Sequence, residues 1–249
     1  MPDDLLRAKA AGRRISALTA YDYPMARLLD EAGVDVILVG DSLGMVVLGY
    51  EDTVPVTMED MLHHVRAAAR GVKRALLIGD LPARSYRTPL EAADNARRLV
   101  DAGARAVKLE GGVAMRAQIE AIAAVGVPIM GHIGMLPQSV REEGGYKVKG
   151  RSEIEALALL DDAHAVQEAG AFAVVLEIVA ADTAARLTVA LDVPTIGIGS
   201  GRGCDGQILV THDLIGLFPW FQPKFVTPRA RLAEGIREAV RGFIEETTG

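Results

Sequence analysis

The stretch DVILVGDSLG, residues 35–44, shows the pattern on which the fold prediction rests. An apolar run with β-branched residues, Val36 to Val39, is followed at once by Gly40, Asp41 and Ser42. Short apolar runs bounded by glycine or proline are typical of buried parallel strands. A run that ends in a carboxylate recurs at LLIGD (76–80), VKLE (107–110) and VVLE (174–177). A buried strand needs no acid at its end, so these carboxylates require a separate explanation.

Apolar runs of this kind alternate with amphipathic segments along the whole chain. They predict strands at 14–22, 35–42, 75–82, 106–112, 128–134, 173–179, 194–200 and 223–227. Helix patterns lie between them, notably at 57–71, 88–103, 151–170 and 228–246, and the first three begin at the N-cap residues Thr57, Thr88 and Ser152. Alternating strands and helices predict a (β/α)8 TIM barrel, with residues 1–249 as a single domain. The alternative is a doubly wound open sheet, and the connection after the seventh strand is the weakest helix pattern.

Composition narrows the functional class. The chain has a net charge of −6, which argues against a nucleic-acid surface. Its apolar runs are far shorter than the roughly 20 residues that cross a bilayer. The charged N-terminal segment has no apolar core of a secretory signal, and the single cysteine, Cys204, excludes an internal disulfide or a multi-cysteine zinc site. These features predict a cytoplasmic protein with no nucleic-acid or membrane partner, and they do not indicate its activity.

Charged residues at the predicted strand ends mark a candidate site. In a barrel of this kind the active site lies at the carboxyl ends of the strands. The end residues of strands two to six are Asp41, Asp80, Glu110, His132 and Glu177. Lys108 lies two residues before Glu110, so both side chains point to the same face of their strand.

Several carboxylates at one point repel one another unless a cation neutralises them. Oxygen ligands without cysteine suit Mg²⁺, and three adjacent strands offer Asp41, Asp80 and Glu110. The alternative is that each carboxylate only closes a strand or caps the next helix. The glycine-rich segment 197–206 contains a G-x-G-x-x-G spacing, but without a following helix it indicates a pocket wall rather than a dinucleotide site.

Several sequence blocks resemble ketopantoate hydroxymethyltransferases. They include VGDSLGMVVLG (39–49), AVKLEGG (106–112), GHIGMLPQS (131–139), VVLEIV (174–179) and GIGSGRGCDGQILV (197–210), and the likeness covers roughly residues 5 to 227. The resemblance implies a barrel of the phosphoenolpyruvate/pyruvate type. It also implies transfer of a hydroxymethyl group from 5,10-methylenetetrahydrofolate to 3-methyl-2-oxobutanoate, giving 2-dehydropantoate in pantothenate biosynthesis.

The resemblance also implies roles for the residues at the strand ends. Mg²⁺ is expected at Asp41, Asp80 and Glu110, the 2-oxo acid at Asp41, Ser42, Asp80 and Lys108, and the proton acceptor at Glu177. His132 is expected to orient a substrate oxygen or to carry a proton. A homo-oligomer is expected because the family forms large rings, often decamers.

The sequence departs from the family at a few positions. Ala180 replaces a common proline, Ser200 a common alanine and Ala83 a common phenylalanine. None of these changes removes a charged group that the chemistry needs.

Two other functions remain open at this point. A Mg²⁺-dependent C–C lyase or mutase of the same superfamily typically has a cysteine in its catalytic loop, and Cys204 does not match that position. A non-catalytic barrel is disfavoured by the retained acids and lysine.

Overall fold

The computed structural model describes all residues 1–249 and contains eight parallel strands in one closed barrel. The strands follow one another in chain order around the barrel. They are β1 (Ile15–Thr19), β2 (Val36–Val39), β3 (Leu76–Asp80), β4 (Ala106–Glu110), β5 (Ile129–Gly134), β6 (Ala173–Glu177), β7 (Thr195–Ile198) and β8 (Gly206–Leu209). The prediction of a (β/α)8 barrel is confirmed, and the open-sheet alternative is wrong because the sheet closes.

Helices connect the strands. They are α1 (Pro2–Ala10), α2 (Tyr23–Ala32), α3 (Leu43–Val46), α4 (Met58–Ala69), α5 (Pro89–Asp101), α6 (Arg116–Ala124), α7 (Val140–Glu143), α8 (Glu153–Glu168), α9 (Ala181–Ala190), α10 (Thr211–Leu214) and α11 (Leu232–Thr248). The predicted caps are confirmed, because the side chains of Thr57, Thr88 and Ser152 each accept a hydrogen bond from a backbone N–H in the first helical turn. No helix is long and apolar enough to cross a membrane.

The predicted eighth strand at 223–227 is wrong, since the last strand is Gly206–Leu209. The strand has only four residues and directly follows a glycine-rich loop. Its sequence therefore shows almost no alternation of apolar and polar residues, and the pattern predicts a loop there. The first of them must be glycine, because a Cβ at Gly206 would lie 2.6 Å from the carbonyl oxygen of Ile15. The close approach of β8 to β1 therefore explains why the strand begins with Gly206, a residue that is not typical of strands.

The strands carry two faces with different partners. One face of each strand contributes to a cluster that includes Val36, Leu38, Leu76, Ile78 and Ala106, and this cluster fills the barrel interior. The opposite face, such as that of Val107 and Leu109, packs with the buried residues of the helices. Ala106 shares its face with Lys108 and Glu110, so the interior changes from apolar to charged toward the carboxyl ends of the strands.

By its internal contacts the chain divides into two units, Met1–Ile208 and Leu209–Gly249. The second unit contains α10 and α11, and no residue of α11 is buried. Ile236, Val240 and Phe243 share one face of α11 at helical spacing, and all three are exposed. A single domain over the whole chain stays a prediction.

Candidate functional site

Strands β3 to β6 place the charged residues of the site side by side. The register pairs Asp80 with Lys108 across β3 and β4, and Glu110 with His132 across β4 and β5. Gly134 at the end of β5 pairs with Glu177 at the end of β6. Asp41 lies in the turn that follows β2, and its backbone N–H donates to Asp80 Oδ2 at 3.3 Å. The site residues predicted from the sequence thus meet at one end of the barrel.

Lys108 lies at the centre of this cluster. Its Nζ is 2.8 Å from Asp80 Oδ1, 3.8 Å from Glu110 Oε1 and 3.3 Å from His132 Nδ1. Lys108 is only 4% exposed, so these contacts replace its hydration. Burial alone would lower the pKa of Lys108, but the surrounding carboxylates, Asp80 first, raise it above its ordinary value. Lys108 therefore remains a fixed positive charge.

The acids carry more negative charge than Lys108 can neutralise. Burial raises the pKa of Asp80 to about 7, against the attraction of Lys108, which lowers it. Burial also raises the pKa values of Asp41 and Glu110 above their ordinary range, and Lys108 again opposes the shift. Such a surplus of buried acids is typical of a site that binds a cation or moves a proton.

The oxygens of the cluster can be tested for their fit to a metal ion. Asp80 Oδ1 and Glu110 Oε1 are buried and accept no hydrogen bond of good geometry, although Lys108 lies nearby. No group of three or more His, Cys, Asp or Glu side chains is arranged to hold a metal ion by itself. Mg²⁺ is usually bound by one or two carboxylates together with substrate and water, so the unpaired Glu110 Oε1 and the neighbouring Asp80 carboxylate fit it, with Asp80 Oδ1 shared with Lys108. A three-carboxylate site at Asp41, Asp80 and Glu110 stays a prediction.

Glu177 and His132 form a second pair in the site. Glu177 Oε2 lies 3.2 Å from His132 Nε2. Burial raises the pKa of Glu177 to about 7, which Lys108 partly opposes, while burial and Lys108 lower the pKa of His132 well below its ordinary value. The pair therefore consists of a neutral imidazole beside a carboxyl group that can take up a proton near neutral pH.

The backbone that holds Glu177 is pinned and strained. The Glu177 carbonyl accepts from the N–H of Met135 at 2.8 Å, and the N–H of Ile178 donates to Ile198 O at 2.8 Å. Ile178 has φ +47°, a left-handed conformation that a β-branched residue rarely adopts. Strain of this kind concentrates at functional sites, where surrounding contacts enforce it.

Ser42 is held from the other side of the site. Its Oγ lies 2.8 Å from the hydroxyl of Tyr21, whose carbonyl oxygen lies 2.6 Å from His64 Nδ1. The sequence analysis gave no site role to Tyr21 or His64. It also missed Gln138, whose side chain donates to Asp41, and Tyr86, whose hydroxyl donates to Gln138. The only signal for Gln138 was a polar residue behind Pro137, shortly after the end of β5.

The family model and the relatives that match this chain carry the same enzyme description. The family model described as ketopantoate hydroxymethyltransferase matches residues 2–249. The chain is 54% identical over 240 residues to a 3-methyl-2-oxobutanoate hydroxymethyltransferase of Syntrophus aciditrophicus (strain SB), covering 96% of this chain and 88% of the relative. It is 55% identical over 240 residues to the protein of the same name in Moorella thermoacetica (strain ATCC 39073 / JCM 9320), covering 96% and 89%.

Solved structures with the same fold are more distant. A phosphonopyruvate hydrolase, in complex with oxalate and Mg²⁺, is 16% identical with a TM-score of 0.68, over 100% of this chain and 88% of that one. A 2,3-dimethylmalate lyase of the PEP mutase/isocitrate lyase superfamily is 18% identical with a TM-score of 0.63, over 100% and 98%. At this identity the likeness supports the barrel fold alone.

Proposed function

Because the chain belongs to the ketopantoate hydroxymethyltransferase family, we propose that it transfers a hydroxymethyl group to 3-methyl-2-oxobutanoate, giving 2-dehydropantoate in pantothenate biosynthesis. The one-carbon donor in this proposal is 5,10-methylenetetrahydrofolate. The observation that carries the proposal is the buried cluster in which Lys108 lies among carboxylates, with Glu177 beside it.

The reaction needs a proton to leave C3 of the 2-oxo acid. Glu177 is the proposed base, because its raised pKa of about 7 suits proton transfer near neutral pH. His132 Nε2 lies 3.2 Å from Glu177 Oε2, so the neutral imidazole borders the proposed base. Water cleaves the methylene carbon from the two folate nitrogens, so that tetrahydrofolate leaves and the carbon is released at the oxidation level of formaldehyde. The C3 carbanion then attacks this carbon, and the new alkoxide takes up a proton to become the hydroxyl group of the product.

Negative charge grows on the keto oxygen as the proton leaves. Lys108 supplies a fixed positive charge for this oxygen or for the substrate carboxylate. Asp41, Asp80 and Glu110 are the proposed Mg²⁺ ligands, and the bound ion would add a second positive charge at the same oxygen. Ser42, whose hydroxyl lies 2.8 Å from that of Tyr21, is the proposed hydrogen-bond donor to the substrate, and Asp41 and Asp80 are proposed to lie beside the same 2-oxo acid.

The test separates proton removal from one-carbon transfer. Purified protein in D2O with Mg²⁺ and 3-methyl-2-oxobutanoate, without folate, should exchange the C3 proton, and NMR would follow the loss of its signal. Adding 5,10-methylenetetrahydrofolate should then produce 2-dehydropantoate. Absence of exchange would contradict the proposal and favour either a lyase of the same superfamily or a non-catalytic barrel. The distant superfamily structures share the fold, but no feature of this site favours their reactions.

We also infer a cytoplasmic homo-oligomer. The exposed apolar face of α11, with Ile236, Val240 and Phe243, supports assembly because single copies rarely leave such a stripe in water. Sedimentation velocity would give the number of copies, and a monomer at micromolar concentration would contradict the inference.

A further inference from the structure

One residue near the site contacts the ends of three neighbouring strands. Gln138 belongs to the short 3-10 helix Pro137–Ser139, which follows β5. Its Nε2 donates to Asp41 Oδ2 at 2.9 Å, beyond the end of β2, and to the carbonyl oxygen of Leu81 at 3.0 Å, just past β3. Its backbone N–H donates to Glu110 Oε2 at 3.1 Å, at the end of β4.

The amide of Gln138 is itself held in one orientation. Its Oε1 accepts a hydrogen bond from the hydroxyl of Tyr86 at 2.5 Å. A primary amide has two N–H donors and one carbonyl acceptor, and both donors point to Asp41 and Leu81. With the oxygen occupied by Tyr86, a flip of the amide would place N–H groups against a donor and an oxygen against two acceptors. The hydrogen-bond network therefore fixes which end of Gln138 faces the acids.

We propose that Gln138 is a positioning residue that orients Asp41 and Glu110 as cation ligands, and that Tyr86 holds Gln138 for this purpose. This inference rests on the proposed function, because it takes the acids as the Mg²⁺ site. Gln138 binds one oxygen of each acid, Oδ2 of Asp41 and Oε2 of Glu110. The other oxygen of Glu110, Oε1, stays buried and without a hydrogen bond, so it remains available for the ion.

The reason for such a residue is mutual repulsion between the carboxylates. Burial is the main reason that the pKa values of Asp80 and Glu110 are raised, and the nearby Asp41 carboxylate raises both of them further. Without a tether these carboxylates can rotate away from one another. Partners in the shell outside the metal ligands fix ligand orientation, and their removal typically costs about 10- to 100-fold in metal affinity or activity. Gln138 is neutral, so it can satisfy two carboxylates without competing for the cation.

The decisive variant is Gln138→Met, which keeps the length of the side chain and removes its three hydrogen bonds. The matched control is Gln167→Met. Gln167 also loses three side-chain hydrogen bonds, all to Asp192 and Val193, which precede β7 at the opposite end of the barrel from the acids. The two variants lose the same number of side-chain hydrogen bonds. A difference in metal affinity between them would therefore come from the position of Gln138 beside the acids.

The measurement is a titration of each protein with Mn²⁺ alone, followed by electron paramagnetic resonance. Gln138→Met should bind Mn²⁺ about 10-fold more weakly or worse, whereas Gln167→Met should match the parent even if both variants melt at lower temperature. The Mg²⁺ concentration for half-maximal C3 proton exchange should rise by the same factor, with the KM for the folate donor unchanged. Parent-like Mn²⁺ affinity in Gln138→Met would overturn the proposal.

Tyr86→Phe tests the same chain of contacts with a smaller change. It removes only the hydroxyl that holds Gln138 Oε1, so Mn²⁺ affinity should fall by less than in Gln138→Met. If Gln138→Met does not fold, this variant decides, and native affinity in it would overturn the proposal. A parent protein that binds neither Mn²⁺ nor Mg²⁺ would instead refute the metal part of the proposed function, and this inference with it.

Discussion

Replacing Glu177 with glutamine should inactivate the enzyme and stabilise its fold at the same time. The side chain of Glu177 is only 13% exposed, and burial raises its pKa from 4.5 to about 7. Glutamine has nearly the same shape but cannot ionise and cannot accept a proton. The variant therefore removes the proposed base together with the cost of keeping a carboxylate in a buried place.

The size of the stabilisation follows from the pKa of the folded state. A rise from 4.5 to about 7 at about 1.4 kcal/mol for each pKa unit gives about 3.5 kcal/mol. In the parent, Glu177 is protonated in both the folded and the unfolded state below pH 4.5, so nothing is lost there. Between pH 4.5 and about 7 the unfolded chain ionises Glu177 while the folded parent keeps it protonated, so the parent loses this free energy progressively over that range and loses no more above it. Glu177→Gln loses none of it.

The expected difference in melting temperature between variant and parent is therefore close to zero near pH 4.5. At pH 8 it should reach about 7–14 °C, because 1 kcal/mol shifts the melting temperature of a chain of this size by about 2–4 °C. Circular dichroism in the presence of EDTA would measure it without bound cations. The control is Glu120→Gln, at an exposed glutamate on α6 that pairs with Arg116. This variant should change the melting temperature by no more than about 1 °C at either pH.

Turnover by Glu177→Gln should fall by about 10²–10⁴-fold, the usual contribution of a general base. Two results would refute the reasoning. A variant that is no more stable than the parent at pH 8 would mean that Glu177 is not a costly buried carboxylate. A variant with near-native turnover would place the base elsewhere, for which His132 is the nearest candidate.

Three further substitutions test the other parts of the site. Asp80→Ala should raise the Mg²⁺ concentration needed for half-maximal activity and lower the maximum, and full activity at limiting Mg²⁺ in steady-state assays would contradict its assignment as a ligand. Lys108→Met should raise the KM for 3-methyl-2-oxobutanoate and lower kcat, since a fixed charge beside the 2-oxo acid is lost; a loss confined to folate affinity would show that Lys108 faces the cofactor. Ile178→Gly should lower kcat while leaving the melting temperature equal or higher, because it relieves a left-handed conformation that costs about 1–3 kcal/mol. Unchanged kcat in Ile178→Gly would mean that the strain has no part in aiming Glu177.

Local pattern was sufficient for most of the barrel and for the charged residues in it. A strand alternates its side chains with a period of two, so the spacing of Lys108 and Glu110 already predicted a shared face, and the structure confirms it. Strands in a parallel barrel end at the same edge, so acids at the ends of successive strands had to meet. The eighth strand failed the same reasoning because Gly206–Leu209 is too short to show alternation.

Contacts between distant parts of the chain were beyond the sequence patterns. Gln138 meets Asp41 across a sequence separation of 97 residues and Tyr86 across 52. The local sequence around Gln138 has no pattern that indicates either contact, so only the folded barrel shows them. The left-handed conformation of Ile178 could not be predicted either, because glycine is the usual sequence signal for a positive φ.

The unfavourable features of this protein are concentrated at one end of one barrel. The interior near the amino ends of the strands is apolar, with Val36, Leu76 and Ala106 buried, as stability alone would select. At the carboxyl ends the same interior holds several acids, a single lysine and, next to Glu177, a strained isoleucine. Replacing such buried charges with apolar residues is often neutral or stabilising, so folding gives no reason to keep them. Their concentration at the end where the strands converge is therefore itself an argument for catalysis, and it explains why the variant that removes the base should be the more stable protein.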